Sequence, residues 1–387
     1  MNGWTGKILV VDLTQGEITE EGLDPRVAKD YIGGRGFGIQ RLLREVDPSC
    51  DPLSPENALV MAAGPLTGTK APTGARYMIT TKSPLTGSIT CSNSGGHFPA
   101  ELKRAGLDLI VFRGKASEPV YLWVENGMAE LRSARHVWGK STHETDEILR
   151  GETSPDARTA CIGPAGEKRV LFASVMNDRD RAAGRSGVGA VMGSKNLKAV
   201  VVRGTTQVPL HDPKAFNDLV KRLLARFKDS LKGGKHPLNL HGTAITVMAT
   251  QNFGVLPTRN FQQGTFPGWE EIHGETLTRR FLLRPKACFS CPIGCGRVTR
   301  VDTPEFQGEG EGPEYETVYA MGSNCGVNDL AAVTKANYIC NEMGLDTISM
   351  GSTIACAMEL YERGHLPESD IGGPLRFGDG RALVELT

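Results

Sequence analysis

From residue 5 to about 205 the chain is written in short apolar runs: KILVVDL, ALVMAAG, RYMITTK, SITCSNS, LDLIVFRG, PVYLWVENG, RTACIG, LFASVMN and LKAVVVRGT. Each is bounded by Gly, Pro, Thr or Asn, the pattern of strands closed by turns. Helical spacing is clear only near 36 to 45 and 98 to 106, so strand and helix do not alternate as a doubly wound nucleotide fold requires. The expectation is a sheet domain, antiparallel or mixed. Pro-Leu-Thr-Gly occurs at 65 to 68 and again at 84 to 87, which hints at pseudo-symmetric hairpin units.

After Pro209 the period changes. Phe216, Leu219, Val220, Leu223, Leu224 and Phe227 recur at helical spacing, with Asp212-Pro213 as N-cap and first-turn proline. Further helices are predicted at 243 to 252, 314 to 323, 330 to 343 and 347 to 363. The cysteine segment near 290 and the stretch DTPEFQGEGEGPE read as irregular. The pattern predicts an α+β chain, with a β-rich domain over 1–208 and a helical domain over 209–387. The end, RALVELT, reads as the interior of a further helix, so the chain looks cut.

A length of 387 residues accommodates two or three domains. With 44 basic and 44 acidic residues, nothing in the charge favours nucleic acid or an anionic membrane as partner. No apolar run approaches the roughly 18 residues of a membrane helix. The first apolar run ends at Asp12 and reads as a strand, not a signal peptide. Nine cysteines, three of them in one cluster, suit a reduced, cytoplasmic protein better than a disulfide framework.

That cluster is ACFSCPIGCGR, with Cys288, Cys291 and Cys295 spaced C-x2-C-x3-C. Three thiolates from one turning loop suit an iron-sulfur cluster. Zinc is the alternative, although no second C-x2-C or H-x3-H pair closes such a site. Three core cysteines packing as small hydrophobes would explain the Gly/Pro turn poorly. A second candidate is residues 177 to 198, where Arg179, Arg181, Arg185, Lys195 and Lys198 interleave with glycines. That loop suits a polyanion, and a solvated basic turn is the bland alternative. Arg76 opens one strand, while Asn93, Gly95 and Gly96 close the next; chemistry alone leaves these as structural residues. Gly344 suits a helix stop and Asp346 the N-cap of the following helix. Glu314 and Glu316 sit at a predicted helix start, where the dipole favours carboxylates whether or not they react.

Taken together, GRGFG, SPEN, AAGPLTGT, TKSPLTG, NSGG, RAAGR, GVGAVMGSKNLKA, CPIGCGRV, GPEYE and MGLDTIS resemble, in order and spacing, the aldehyde:ferredoxin oxidoreductase family. Its members carry tungsten or molybdenum on two pyranopterins together with one [4Fe-4S] cluster. The resemblance implies that Arg76, Asn93, Gly95, Arg181, Ala182, Gly184 and Arg185 contact the pterins. It places Asn341 and Asp346 in a D-x-x-G-L-D pterin loop, Cys288, Cys291 and Cys295 on the cluster, and Glu316 near the metal.

The implied activity is oxidation of an aldehyde to its carboxylate, with electrons leaving through the cluster to ferredoxin or a ferredoxin-like subunit. A relative reducing aromatic acids or thioesters is the nearest alternative, and a non-catalytic electron-transfer module the more distant one. Two departures stand out. Where members with an iron-bridged dimer carry E-x-x-H, this chain reads Lys335-Ala-Asn-Tyr338, and Asn341 replaces the loop's first Asp. Any oligomer is thus expected to lack an iron-bridged site. The family's fourth cluster cysteine, second pterin loop and catalytic histidine lie in a C-terminal third beyond Thr387, so the 387 residues alone are expected to be inactive. Cys325, Cys340 and Cys356 are the candidate substitute ligands, though their helical setting reads as core.

Overall fold

The computed structural model describes residues 1–231, 233 and 235–387. The chain divides into two compact units. The first is Met1–Arg226 with Cys288–Pro292 and Asn341–Leu345; the second is Phe227–Ala287, Ile293–Cys340 and Asp346–Thr387. Against the sequence boundary at 208, the first unit extends further and takes in two short distant segments.

The first unit holds two six-stranded sheets. One contains β1 (Lys7–Asp12), β2 (Glu17–Gly22), β3 (Leu59–Ala63), β4 (Tyr77–Lys82), β5 (Ile89–Ser94) and β6 (Leu109–Arg113), in the order β2-β1-β6-β3-β4-β5. The other contains β7 (Val120–Glu125), β8 (Met128–Ser133), β9 (Arg158–Cys161), β10 (Val175–Asn177), β11 (Arg181–Ala183) and β12 (Leu197–Arg203), in the order β8-β7-β12-β9-β10-β11. The two orders are the same, strand for strand. So are the directions: β1 with β6 and β7 with β12 are parallel, and every other pair is antiparallel.

This duplication extends beyond the strands. Phe98–Arg104 precedes β6 as Val188–Ser194 precedes β12, and left-handed Gly106 (φ 92°) and Asn196 (φ 56°) follow these helices. The sequence carries a trace of it in LDLIVFRG and LKAVVVRG, which share Leu, Val, Arg and Gly at matching positions. The Pro-Leu-Thr-Gly pair is unrelated to the repeat, because both copies lie in the first half.

Alternation within the apolar runs explains the layering. Leu9, Val11, Met61, Ile110 and Phe112 share one core with Leu122, Val124, Val200 and Val202, so the two sheets bury their inner faces in a common cluster. On the outer face of the first sheet, Ile8, Val10, Val60 and Val111 pack with Phe37 of helix Arg35–Glu45. On the second, Tyr121, Trp123 and Val201 pack with Leu149 of helix Thr142–Glu152. Strands buried on both faces read as continuous apolar runs, which is how these runs appear in the sequence. Helix Thr142–Glu152 was not anticipated, although Ser141 and Glu144 form a capping box that the sequence displays.

Helices Leu330–Met343 and Thr347–Glu362 match their predicted spans closely. The predicted helix at 314 to 323 is shorter and irregular, passing from Tyr315–Thr317 into a π-helical turn over Val318–Gly322. Two stretches expected to be irregular contribute strands: β13 (Leu282–Lys286), β14 (Gly296–Val301) and β15 (Gly308–Glu311) form an antiparallel sheet. The Tyr338 ring lies 2.9 Å from where a Cβ at Gly308 or Gly310 would stand, so glycine lets β15 run beneath that ring. The α+β class stands, with this sheet added to the helical half. Among the described residues, no helix is long and apolar enough to cross a membrane.

Each half of the first unit also buries an ion pair, and the matching positions Asp108 and Lys198 each supply one member. Asp108 pairs with Lys103, both fully buried, and Lys198 with Glu167. Burial pulls the Lys103 ammonium below its usual value, and Asp108 pushes it back. Asp108 also accepts the Gly6 amide at 2.7 Å. Asp108→Ala should therefore cost about 3–5 kcal/mol in chemical denaturation, as removal of one partner from a buried pair does. Lys103→Met/Asp108→Asn should recover most of that loss, since the asparagine oxygen still takes the Gly6 amide; a double variant as unstable as the single one would contradict the pairing.

Candidate functional site

The ends of β5 and β11 hold Asn93, Gly95, Arg181, Ala182, Gly184 and Arg185, at equivalent places in the two sheets. Tyr77 pairs with Ser94 as Val175 pairs with Ala183, and Met78 pairs with Asn93 as Met176 pairs with Ala182. By that register Asn93 matches Ala182, and Gly95 matches Gly184. Arg76, Ala182 and Arg185 are exposed, Asn93, Arg181 and Gly184 half-buried, and Gly95 buried. Exposed arginines thus flank a backbone whose close approach glycine permits.

A polar network ties the turn between β10 and β11 to the end of β5. Buried Asn177 receives the Ser94 hydroxyl at 2.7 Å and the Tyr77 hydroxyl at 3.3 Å on Oδ1, and donates Nδ2 to the Gly95 carbonyl at 2.9 Å. The next residue, Asp178, accepts the backbone N–H groups of His97 (2.6 Å) and Phe98 (3.0 Å) and the Asn177 amide (2.9 Å) on Oδ2. Asp178 and Arg179 both have positive φ, at 50° and 71°. A non-glycine residue holds such a conformation when surrounding bonds over-determine it. Asn177 and Asp178 were missed as site residues because no local pattern marks a cap that reaches across some eighty positions of sequence.

The segment Cys288–Pro292 lies against this network within the same unit. The Phe289 amide donates to the Gly96 carbonyl at 3.1 Å, and the Thr73 amide to the Ser290 carbonyl at 3.2 Å. A Cβ placed on Gly95 would stand 3.0 Å from the Cys288 Sγ and 3.1 Å from the Arg76 Nη1. Glycine leaves room for the thiol and the guanidinium together, and a larger residue would press on both. Cys291 turns back on the loop, its amide donating to the Cys288 carbonyl at 3.1 Å. Phe289 carries the Arg104 guanidinium 4.6 Å from its ring centre and meets the His97 ring edge-on.

Cys295 belongs to the second unit, where its carbonyl lies 2.8 Å from where a Cβ on Gly242 would stand. Nearby Arg297 is 3% exposed and donates to the carbonyls of Leu238 (2.8 Å) and Asn239 (2.6 Å). Burial lowers its pKa from the usual arginine value, opposed by Glu314 and Cys295. Glu314 accepts the Thr243 hydroxyl, whereas Glu316 is exposed on the first helical turn.

Asn341 and Asp346 are both buried. The Asn341 carbonyl accepts the Thr142 hydroxyl at 2.7 Å within the first unit. In the second, Asp346 caps helix Thr347–Glu362 by accepting Ser349 N at 3.1 Å and Ser349 Oγ at 2.6 Å. Gly344 (φ 74°) takes the left-handed conformation expected of a helix stop.

Two groups leave the picture. Lys195 and Lys198 are fully buried, Lys195 donating to the carbonyls of Gly114 (3.0 Å) and Asn57, so neither lines a polyanion loop. Their stretch contains β11 and helix Val188–Ser194, whose glycines pack closely against neighbouring backbone. Cys325 and Cys340 are fully buried, and burial pushes both thiols well above the ordinary range. Cys325 directs its S–H at the Ala320 and Gly351 carbonyls, while Cys356 is exposed on a helix.

Among the described residues, no three His, Cys, Asp or Glu side chains converge as around a single metal ion. A cubane cluster asks for something different, since each thiolate binds a different iron at its periphery. Cys288 and Cys291 place two such thiols in the first unit, Cys288 beside Gly95, and neither is in a disulfide.

The N-terminal domain model of aldehyde ferredoxin oxidoreductase matches residues 8–204, and the model of its domains 2 and 3 matches 218–387. The chain belongs to the aldehyde ferredoxin oxidoreductase family. Within it, the tungsten-containing aldehyde ferredoxin oxidoreductase of Pyrococcus furiosus is 51% identical over 99% of this chain and 63% of its own length. The aliphatic sulfonate oxidoreductase WOR-like subunit of the same organism is 33% identical, over 100% of this chain and 64% of its own length. Among solved structures, the active site complex BamBC of benzoyl coenzyme A reductase with 1,5-dienoyl-CoA matches with a TM-score of 0.87 and 32% identity, over 100% of this chain and 59% of that one. The chain thus spans somewhat less than two thirds of the relatives it matches.

Asp178→Ala should cost about 1–3 kcal/mol in stability, the penalty for stranding buried donors. Amide exchange at His97 and Phe98 should accelerate at the same time. Unchanged protection at those two amides would show that the carboxylate does not hold the turn.

Proposed function

We propose that this chain is part of an oxidoreductase that converts aldehydes to carboxylic acids and passes the electrons to ferredoxin or a ferredoxin-like subunit in the cytoplasm. The observation that carries the reading is the pair of equivalent strand ends, β5 and β11, with the Cys288 thiol packed against one of them at Gly95. A bis-pyranopterin holding tungsten or molybdenum would use both ends, and a [4Fe-4S] cluster would take Cys288, Cys291 and Cys295. The metal dithiolene would supply the two-electron chemistry, and the cluster would pass electrons on singly.

The chain's own residues have binding and positioning roles. Arg76, Arg181 and Arg185 would neutralise pterin phosphates, their planar guanidinium groups suited to paired hydrogen bonds with an anion. Asn93, Gly95, Ala182 and Gly184 would present backbone and small side chains to the rings. Asn341 and Asp346 would hold the loop that meets one pterin. Exposed Glu316 would accept or release a proton near the reacting carbon. The higher identity to the aldehyde enzymes favours aldehyde oxidation over the reductase chemistry named for the BamBC complex.

Metal and pterin analysis of the anaerobically isolated protein is the direct test. Tungsten or molybdenum with pterin is expected; iron alone would support an electron-transfer module instead. Cys291→Ser should abolish the cluster's low-potential EPR signal, since serine lacks the soft thiolate that iron prefers, and an undiminished signal would sink the ligand assignment. Arg76→Ala/Arg185→Ala should lower pterin content while leaving helix content near wild type, each lost charge-assisted contact being worth about 1.5–3 kcal/mol. Full pterin loading in that variant would refute the cradle.

A further inference from the structure

Phe289, the neighbour of Cys288, also lines an open groove of about 790 Å³ in the first unit. Gly68, Thr69 and Lys70, the 203–210 segment and Phe216 of helix Pro213–Ser230 line it. Three of its lining residues are cations, Lys70, Arg104 and Arg203, and none is a carboxylate.

The cations differ in their engagement. Arg203 pairs with Glu101 at 2.6 Å and with Asp156 at 3.5 Å. Arg104 reaches Glu101 only at 3.9 Å and rests on the Phe289 ring. Lys70 is exposed. Glu101 is 6% exposed, so its charge sits behind the groove, while Lys70 and half-buried Arg104 face solvent.

We propose that this groove is the docking surface for the electron acceptor, a small iron-sulfur protein whose carboxylates surround its own cluster. The proposal rests on the function given above, and adds where the partner sits. Three observations favour that occupant. The charged residues lining the groove are all cations, and although Glu101 and exposed Asp156 offset Arg203, Lys70 and Arg104 leave a positive charge that attracts and orients an acidic partner and repels a basic one. Phe289 forms part of the groove and is covalently next to a proposed cluster ligand, so a partner seated there lies beside the cluster. Thr205, Thr206 and Gln207 are exposed along the rim, supplying hydrogen-bonding groups where interfaces are polar.

The test is binding, measured by surface plasmon resonance between the isolated protein and an oxidised acidic ferredoxin at low and high salt. Wild type should bind at low salt and weaken steeply as salt shortens the range of the charges. Lys70→Glu/Gln207→Glu, which alters only exposed side chains, should weaken low-salt binding about tenfold and flatten the salt dependence. Arg104→Gln should weaken it less, and a thermal melt checks that each variant is folded. Absence of wild-type binding, salt-independent binding, or a double variant that binds as wild type would each overturn the surface. Aldehyde-dependent reduction of a viologen dye, run in parallel, separates the two claims. Turnover with dye but no ferredoxin binding removes the docking surface and keeps the function; salt-dependent binding without turnover or cluster does the reverse.

Discussion

Face-to-face burial of two sheets with one strand order is the constraint on which the rest of the first unit depends. Once Leu9, Met61 and Phe112 share a core with Leu122, Val124 and Val202, the ends of β5 and β11 are fixed as equivalent positions. Asn177, at the end of β10 beside β11, then ties the second sheet to the end of β5, its side chain bonded to Ser94 and to the Gly95 carbonyl. A buried amide with satisfied partners specifies one arrangement, because any other strands donors or acceptors away from water. Duplication therefore has a chemical consequence: it sets two small-residue backbone ends side by side, each flanked by arginine.

The same duplication shows why buried charge is tolerated. Asp108, just ahead of β6, and Lys198, at the start of β12, occupy matching positions, carry opposite charges, and find opposite partners in Lys103 and Glu167. What the repeat preserves is a buried, paired ion, not its sign. Such a pair adds little net stability over apolar residues but makes the loss of either member costly. The lysines of GSKNLK illustrate the consequence for reading sequence. In one dimension they look like part of a basic loop, yet their ammonium groups end on carbonyls and a carboxylate in the interior.

Much of the fold was legible because strands buried on both faces leave continuous apolar runs, and because Leu330–Met343 and Thr347–Glu362 carry clear stops and caps. The three-stranded sheet of the second unit was not, since GEGE has neither apolar alternation nor β-branched residues. Its strand character comes from outside, from pairing with β14 and from the Tyr338 ring above its glycines. The site divides in the same way. Cysteine spacing and glycine placement announce themselves locally, whereas Asp178 acts on His97 and Phe98 through a contact that only the fold creates.

Tyr338 carries the last step. At the position where a family pattern would put a histidine, it is 3% exposed, with its hydroxyl 2.6 Å from the Thr299 hydroxyl and donating to the Thr299 carbonyl at 3.0 Å. Three residues earlier, Lys335 donates to the Gln307 carbonyl at 3.0 Å, and Asn337 between them donates to Glu311. This part of the helix thus anchors the β13–β15 sheet through a phenol, an ammonium and an amide. An ion bridging two copies needs carboxylate and imidazole groups turned outward. Residues that hold a neighbouring sheet by inward hydrogen bonds meet a different demand, and Lys335, Asn337 and Tyr338 meet that one by anchoring the helix to the sheet.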